Sequence, residues 1–115
     1  MRAAHADVER AGGPSYDPTR HLDDVVHQRV RLGILTIVHE ARRVDVNYLK
    51  AALGLTGGNL SQHLRTLEDA GFVPIDKVVE GRRPRTLVSI TRSGKRALRL
   101  EVAALKAIVK VLEGS

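Results

Sequence analysis

Residues 49–73 read LKAALGLTGGNLSQHLRTLEDAGFV, and this stretch decides the fold of the chain. Its apolar residues recur at the spacing of two short amphipathic helices. They are Leu49, Ala52 and Leu53 in the first helix, and Leu60, Leu64 and Leu67 in the second. Gly54 interrupts the first helix, and Thr56 is a good N-cap for the second. The stretch therefore predicts a helix-turn-helix with helices over about residues 46–53 and 57–70.

The second predicted helix begins with small, uncharged groups that form hydrogen bonds. They are Gly57, Gly58, Asn59, Ser61 and Gln62. A solvated helix face more often carries Glu and Lys, whereas a helix that starts in this way can enter a DNA groove and reach base edges. We interpret it as a recognition helix.

The predicted contacts of this helix follow from its N-terminal position. Asn59, Ser61 and Gln62 are assigned to base edges or phosphates. Thr56 and the Gly57 amide would bind a phosphate at the helix N-terminus. One turn later, Arg65 would take another phosphate. The alternative is that Asn59 and Ser61 are ordinary turn and cap residues, and His63 beside the apolar row could be packed or could touch DNA.

Composition narrows the function classes. The 115 residues fit one domain, and with 3% aromatic residues its core must be aliphatic. The net charge of +6 favours a polyanionic partner, although ribosomal and membrane-surface proteins share this excess. The absence of cysteine excludes a disulfide scaffold, a zinc finger and a thiol redox sensor. No apolar run is long enough to span a membrane, so we expect a cytoplasmic protein without a membrane partner.

The elements before this stretch are less regular. Residues 1–20 mix Gly, Pro and charges and predict a flexible arm, with a short helix over 2–11 as the alternative. The folded domain is expected over 21–115. A first helix is predicted from about Leu22 to Ala41, with Asp23 and Asp24 complementing the dipole in its first turn. Gly33 within it predicts close approach of another element, with room for a ligand beside it.

A basic hairpin follows the helix-turn-helix. Strand-like runs at 72–79 and 86–91 flank the turn Glu80–Arg85, and Pro74 belongs at an edge or a bulge. Seven basic residues and no acidic residue lie between Glu80 and Glu101. They are Arg82, Arg83, Arg85, Arg92, Lys95, Arg96 and Arg99. Like charges at this density repel one another without a polyanion, so Arg82, Arg83 and Arg85 are predicted to contact a minor groove or DNA backbone. The alternative is a solvated charged turn.

The last predicted helix, about residues 92–112, carries more apolar surface than one small domain needs. One row consists of Leu98, Val102, Leu105, Val109 and Leu112, and a second row of Leu100, Ala104, Ile108 and Val111. One row can cover the core, and the other needs a partner. The first row is therefore assigned to a homodimer interface.

The sequence contains one weak metal-binding pattern and no catalytic pattern. His21, Asp24 and His27 have a spacing that suits a metal, but no fourth ligand accompanies them, and a solvated helix start is the simpler interpretation. The sequence contains no phosphate-binding Gly-Lys-Ser/Thr loop and no nucleophile elbow. We therefore expect no enzyme activity, no cofactor and no metal.

Five segments resemble a family of prokaryotic winged-helix transcriptional regulators close to the MarR and ArsR groups. They are HQRVRLGIL at 27–35, LGLT at 53–56, GNLSQHL at 58–64, LEDAGFV at 67–73 and GRRPRT at 81–86. The resemblance covers residues 22–112 and implies homodimers that bind DNA and usually repress. Many such proteins respond to a small molecule. This chain departs from the pattern at Pro74 and lacks the cysteine ligands of the metal-sensing relatives.

These observations predict an α+β, mainly α fold: a winged helix-turn-helix with a C-terminal dimerisation helix. The expected function is a regulator, usually a repressor, that binds a two-fold-related site on double-stranded DNA as a homodimer. An unknown small-molecule effector is a further expected partner. The alternative function is a winged-helix module that binds protein or RNA.

Overall fold

Residues 16–114 are described by a computed structural model, and they form four helices and three strands. In chain order these are α1 (Arg29–Ala41), β1 (Arg43–Asp45), α2 (Val46–Leu53), α3 (Gly57–Asp69), β2 (Ile75–Glu80), β3 (Arg83–Ser89) and α4 (Arg92–Glu113). This order confirms the predicted winged helix-turn-helix fold. Most of the predicted arm, residues 1–15, lies outside the described residues.

Local capping explains why the helix-turn-helix forms where predicted. The side chain of Asp45 accepts a hydrogen bond from the amide of Asn47 at the start of α2. The hydroxyl of Thr56 accepts from the amide of Asn59 at the start of α3. Gly54 ends α2 with φ of 64°, a left-handed conformation that favours glycine. Each cap satisfies a backbone group that the helix leaves free.

The first helix begins later than predicted, at Arg29 rather than about Leu22. The carboxylate of Asp23 accepts from the amides of Val25 and Val26 and closes a turn. Such local bonds compete with helix formation. Gln28 is the N-cap, and no acidic residue lies in the first turn of α1, so the predicted dipole role of Asp23 and Asp24 is wrong.

The sheet is antiparallel with strand order β1-β3-β2. Val88 of β3 is opposite Val44 of β1 and Ile75 of β2, which places the central strand over the core. The two hairpin strands are displaced from the predicted runs and meet at a turn with Gly81 at φ of 63°. Pro74, predicted at an edge or a bulge of the first strand, lies just before the edge strand β2 and outside it.

The core is aliphatic, as the low aromatic content predicted. Its fully buried side chains include Ile34, Leu35, Leu49, Leu67 and Val88. The predicted close approach at Gly33 is confirmed, because a Cβ there would lie 2.9 Å from Cδ2 of Leu53. That leucine occupies the space, so the predicted room for a ligand beside Gly33 is absent.

Helix α4 packs on the core with its first half and extends beyond it. Its buried residues are Gly94, Leu98, Glu101 and Ala104. The radius of gyration, 18.2 Å, exceeds the roughly 13 Å of a compact domain of about 100 residues. Val109 and Leu112 are 49% and 76% exposed. The second half of α4 is therefore an apolar helix without a covering element in the described chain.

Among the described helices, none is both long enough and apolar enough to cross a membrane.

Candidate nucleic-acid interface

The exposed face of α3 is the one that the sequence predicted. Leu60, Leu64 and Leu67 are buried and fix the helix on the core. The predicted contact residues are exposed and point away from that core: Thr56, Gly57, Asn59, Ser61, Gln62 and Arg65. A partner can therefore reach the uncharged first turns of α3 without any rearrangement of the core.

Gly57 and Gly58 are not required by the fold itself. A Cβ at either position would meet no atom within 4 Å, and neither residue has a positive φ. Glycine in a helix is less favourable than alanine by up to about 1 kcal/mol. The two glycines therefore leave open space at the outer surface of α3, where another molecule can approach the backbone closely.

An open groove of about 370 Å³ separates α3 from the hairpin. Its lining includes three basic side chains, Lys50 of α2, Arg65 of α3 and Lys77 of β2, together with Asn47 and Glu68. Of these five residues, only Arg65 was predicted from the sequence. Lys50 and Lys77 were missed because their proximity depends on how the sheet packs beside α3, which no local pattern reports.

The three arginines of the wing, the β2–β3 hairpin, do not have equivalent surroundings. Arg82 and Arg83 are exposed at the turn, as predicted. Arg85 instead donates from Nε to Asp45 at 3.0 Å and from Nη1 to Glu80. Its guanidinium has two carboxylate partners, so Arg85 has a structural role in the wing, and its contact with DNA stays a prediction.

These ion pairs shift the pKa values of Asp45 and Arg85. The amide of Asn47 and the guanidinium of Arg85 hold the pKa of Asp45 below its usual range. Glu80 and Asp45 raise the pKa of Arg85 in turn. Charge-assisted bonds of this kind fix geometry as well as charge. The base of the wing is thus attached to the start of α2.

His63 faces inward from α3. Its Nδ1 lies 3.1 Å from Nη1 of Arg31 on α1. Burial and the positive charge of Arg31 lower the pKa of His63. Of the two interpretations left open by the sequence, packing against the protein describes this residue.

His21, Asp24 and His27, which were considered as metal ligands from their spacing, do not form a metal-binding cluster in the described residues. His27 contacts Glu101 of α4, with Nδ1 and Oε2 2.6 Å apart. In the part of the chain that the structure describes, no three His, Asp or Glu side chains come together to hold a metal ion.

A separate surface, which is apolar, lies on α4. Of the predicted interface residues, Leu98 is only 8% exposed and packs in its own core, so its assignment to a partner is corrected. Val102, Val109 and Leu112 are exposed, and Leu105 is half-buried. An open groove of about 610 Å³ continues this surface onto α1, where Leu32, Thr36 and His39 line it. Leu100 and Val111, from the other row, are also exposed.

Comparison with known proteins agrees with this geometry. Residues 30–109 match a family described as the winged helix DNA-binding domain. An uncharacterised protein of Methanocaldococcus jannaschii is 37% identical over 84 residues, which cover 73% of this chain and 91% of that protein.

Solved structures show the same likeness. A transcriptional regulator homologue from Pyrococcus horikoshii OT3 is 36% identical, with a TM-score of 0.73 over 77% of this chain and 88% of that chain. The crystal structure of MarR is 22% identical, with a TM-score of 0.70 over 82% of this chain and 68% of that one. At that identity the second comparison concerns the fold alone.

Proposed function

This chain belongs to the winged helix DNA-binding domain family and is a DNA-binding transcriptional regulator rather than an enzyme; we propose that it represses transcription in the cytoplasm as a homodimer on a two-fold-related site. The observation that carries the proposal is the exposed, uncharged start of α3 beside a basic wing. In this family geometry α3 would enter the major groove, and the wing would lie on the minor groove or backbone.

The proposed division of labour follows from side-chain chemistry. Asn59, Ser61 and Gln62 carry donors and acceptors that can read base edges. Thr56 and the Gly57 amide lie at the N-terminus of α3, where the helix dipole favours a phosphate. Arg65, Arg82 and Arg83 supply exposed positive charge for phosphates. We add Lys50 and Lys77, because they line the groove between α3 and the wing.

Selection of duplexes from a random DNA pool tests this division. Gln62→Ala should weaken binding to the selected duplex by about 1–3 kcal/mol and relax the base preference at one position per half-site. Arg83→Ala should weaken binding to all duplexes evenly. The slope of log affinity against log salt concentration should become flatter by about one unit. Equal losses on all sequences for both variants would show that Gln62 does not read a base. Enrichment of RNA but not DNA would favour the RNA-binding alternative.

The proposed homodimer rests on the outer half of α4. Val102, Leu105 and Val109 form an apolar strip next to the groove on α1. Two such strips related by a two-fold axis would cover each other. Dimer geometry would then set the separation of the two recognition helices, which must match major grooves roughly 34–36 Å apart.

Paired charge substitutions test this interface. Leu105→Glu with Val109→Glu should give monomers in sedimentation and abolish binding to the selected duplex. Leu100→Glu with Val111→Glu is the matched control, since these exposed residues belong to the other apolar row. A wild-type monomer at tens of micromolar, or equal effects of the two pairs, would contradict the proposed interface.

We further propose a small-molecule effector that acts on the geometry of the dimer. A small molecule that prefers one separation of the recognition helices would shift the dimer toward that separation. Since Leu53 occupies the space beside Gly33, such a ligand would need another location. Measuring DNA affinity at fixed salt with and without candidate molecules tests this, and no dependence on any of them would leave the protein a constitutive repressor.

A further inference from the structure

Helix α4 holds the turn at residues 23–27 through one buried carboxylate. Glu101 is 1% exposed, and both its oxygens have partners. Oε1 accepts from the amide of Asp23 at 3.0 Å, and Oε2 lies 2.6 Å from Nδ1 of His27. A buried carboxylate needs such partners to offset its lost hydration. The middle of α4 therefore fixes the backbone just before α1.

Arg31 binds the same turn from the other side. Its Nε donates to the carbonyl of Val25 at 2.6 Å, and Nη2 donates to the carbonyl of Asp24 at 3.2 Å. The remaining nitrogen, Nη1, lies 3.1 Å from Nδ1 of His63 on α3. One planar guanidinium thus joins the turn to the recognition helix, a geometry that the single ammonium of lysine does not reproduce.

We propose that Glu101 and Arg31 are positioning residues for DNA recognition, which transmit the placement of α4 through the turn at 23–27 to His63 on α3. The inference rests on the proposed function and deepens it. His63 follows Gln62 directly, so the rotation of α3 about its axis decides where the amide of Gln62 points. The buried leucines decide which face of α3 is exposed, and the Arg31 contact adds a second restraint on the rotation of α3.

The contact also dictates a protonation state. The guanidinium is always charged and only donates, so Nδ1 of His63 must accept and the ring must be neutral with its proton on Nε2. Burial and the charge of Arg31, which faces the ring from α1, both disfavour the imidazolium. Protonation of His63 would replace a hydrogen bond by repulsion between two cations.

Measurements on the DNA-free protein test the contact itself. Arg31→Met keeps the apolar stem and removes all three donors, and Arg29→Met removes an exposed arginine at the start of the same helix. By NMR, His63 of the wild type should show the Nε2-protonated tautomer. Its pKa should rise in Arg31→Met and stay unchanged in Arg29→Met. An unchanged pKa in both variants overturns the proposal.

DNA binding then tests the positioning role. The probes are a duplex selected by the wild type and a duplex of the same composition in scrambled order. Arg31→Met should lower the ratio of the two affinities at least about fivefold, which is the low end of the coupling measured between sites in proteins. Arg29→Met should weaken binding to both duplexes equally and leave the ratio of the two affinities unchanged. If the two variants behave alike, Arg31 is merely a positive charge.

Two further variants separate positioning from folding. Glu101→Gln keeps an acceptor for the amide of Asp23 but replaces the oxygen that faces Nδ1 of His27 by an amide nitrogen, so it should reduce the affinity ratio while remaining folded by circular dichroism. His63→Gln keeps an acceptor without titrating, and should preserve the ratio at acidic pH where the wild type loses it. Failure of the wild type to select any duplex refutes the proposed function, and the NMR comparison then still decides whether Arg31 holds α3.

Discussion

Arg85 of the wing donates through Nε to the carboxylate of Asp45, the residue that caps helix α2, over 3.0 Å. The same guanidinium donates to Glu80 at the end of β2. Arg85 therefore joins the wing to the helix-turn-helix, while its neighbours Arg82 and Arg83 are exposed at the turn. One of the three wing arginines determines geometry, and the other two supply charge.

This difference predicts two distinct phenotypes in the wing. Arg85→Ala should lower the melting temperature, because it breaks both ion pairs, and should change the salt dependence of DNA affinity little. Arg83→Ala should leave the melting temperature within the small range of surface substitutions and flatten the salt dependence by about one unit. Thermal unfolding and salt titration of DNA affinity measure the two effects. The assignment fails if the two variants exchange these phenotypes.

Opposite effects on stability and binding are expected at Gly57 and Gly58. Alanine at either position should stabilise the protein by up to about 1 kcal/mol, because helix propensity improves and no atom obstructs the new Cβ. DNA affinity should fall about tenfold, or 1.4 kcal/mol, because the methyl group occupies the space for a closely approaching partner. Denaturant unfolding and DNA titration measure the pair of effects.

The control for these glycines is Gly54→Ala. Gly54 also has no atom within 4 Å of an added Cβ, but its φ of +64° strains an alanine. This variant should lose stability and keep the affinity ratio between selected and scrambled duplexes. Unchanged DNA affinity in Gly57→Ala and Gly58→Ala would remove these glycines from the proposed interface.

Gly94 should behave in the opposite way to the recognition-helix glycines. A Cβ there would lie 2.4 Å from the carbonyl oxygen of Phe72 and 2.8 Å from Cγ1 of Ile90. Gly94→Ala should therefore destabilise the protein by about 1–3 kcal/mol despite its better helix propensity. Arg96→Ala, at an exposed position of the same helix, is the control. A melting temperature in Gly94→Ala equal to that of the wild type would show that α4 can shift away from Phe72.

Stability should fall in two stages as the solution is acidified. The folded pKa of His63 is below the ordinary 6.5, so the unfolded chain binds protons first and the free energy of unfolding falls as pH drops below about 6.5. The folded pKa of Asp45 is below 3.8, so its contribution is present above that pH and is lost as pH falls through the folded pKa. His63→Gln should remove the first stage alone. Denaturant unfolding at several pH values measures both stages, and identical profiles for the two proteins would exclude His63 as the origin.

Features encoded by neighbouring residues could be predicted from the sequence. The caps Asp45 and Thr56 act within three residues, and the leucines of α3 repeat within one helix. Acidic residues before a helix are ambiguous, because Asp23 could complement a dipole or close a turn, and the structure shows the turn. The bounds of the two hairpin strands differ from the predicted ones, because the pairing register of each strand depends on its partner strand.

The roles of individual charged residues depend on distant parts of the chain. Arg85 contacts Asp45, which is 40 positions away in the sequence, and Arg31 contacts His63, which is 32 positions away. Sequence periodicity carries no information over such separations, so the ion pairs of Arg85 and the buried position of Glu101 could not be predicted. The exposed face of α3 could be predicted because its buried leucines leave the other side free.

The bond between Asp23 and Glu101 spans 78 positions and has a consequence for synthesis. A ribosome makes the turn at 23–27 before it makes the carboxylate that secures this turn, which follows 74 to 78 positions later. A nascent chain that ends before Glu101 can form the local caps of α2 and α3, yet it lacks the group that fixes the backbone before α1. If Glu101 has the positioning role that we propose, α4 must be synthesised before α3 can take its final position.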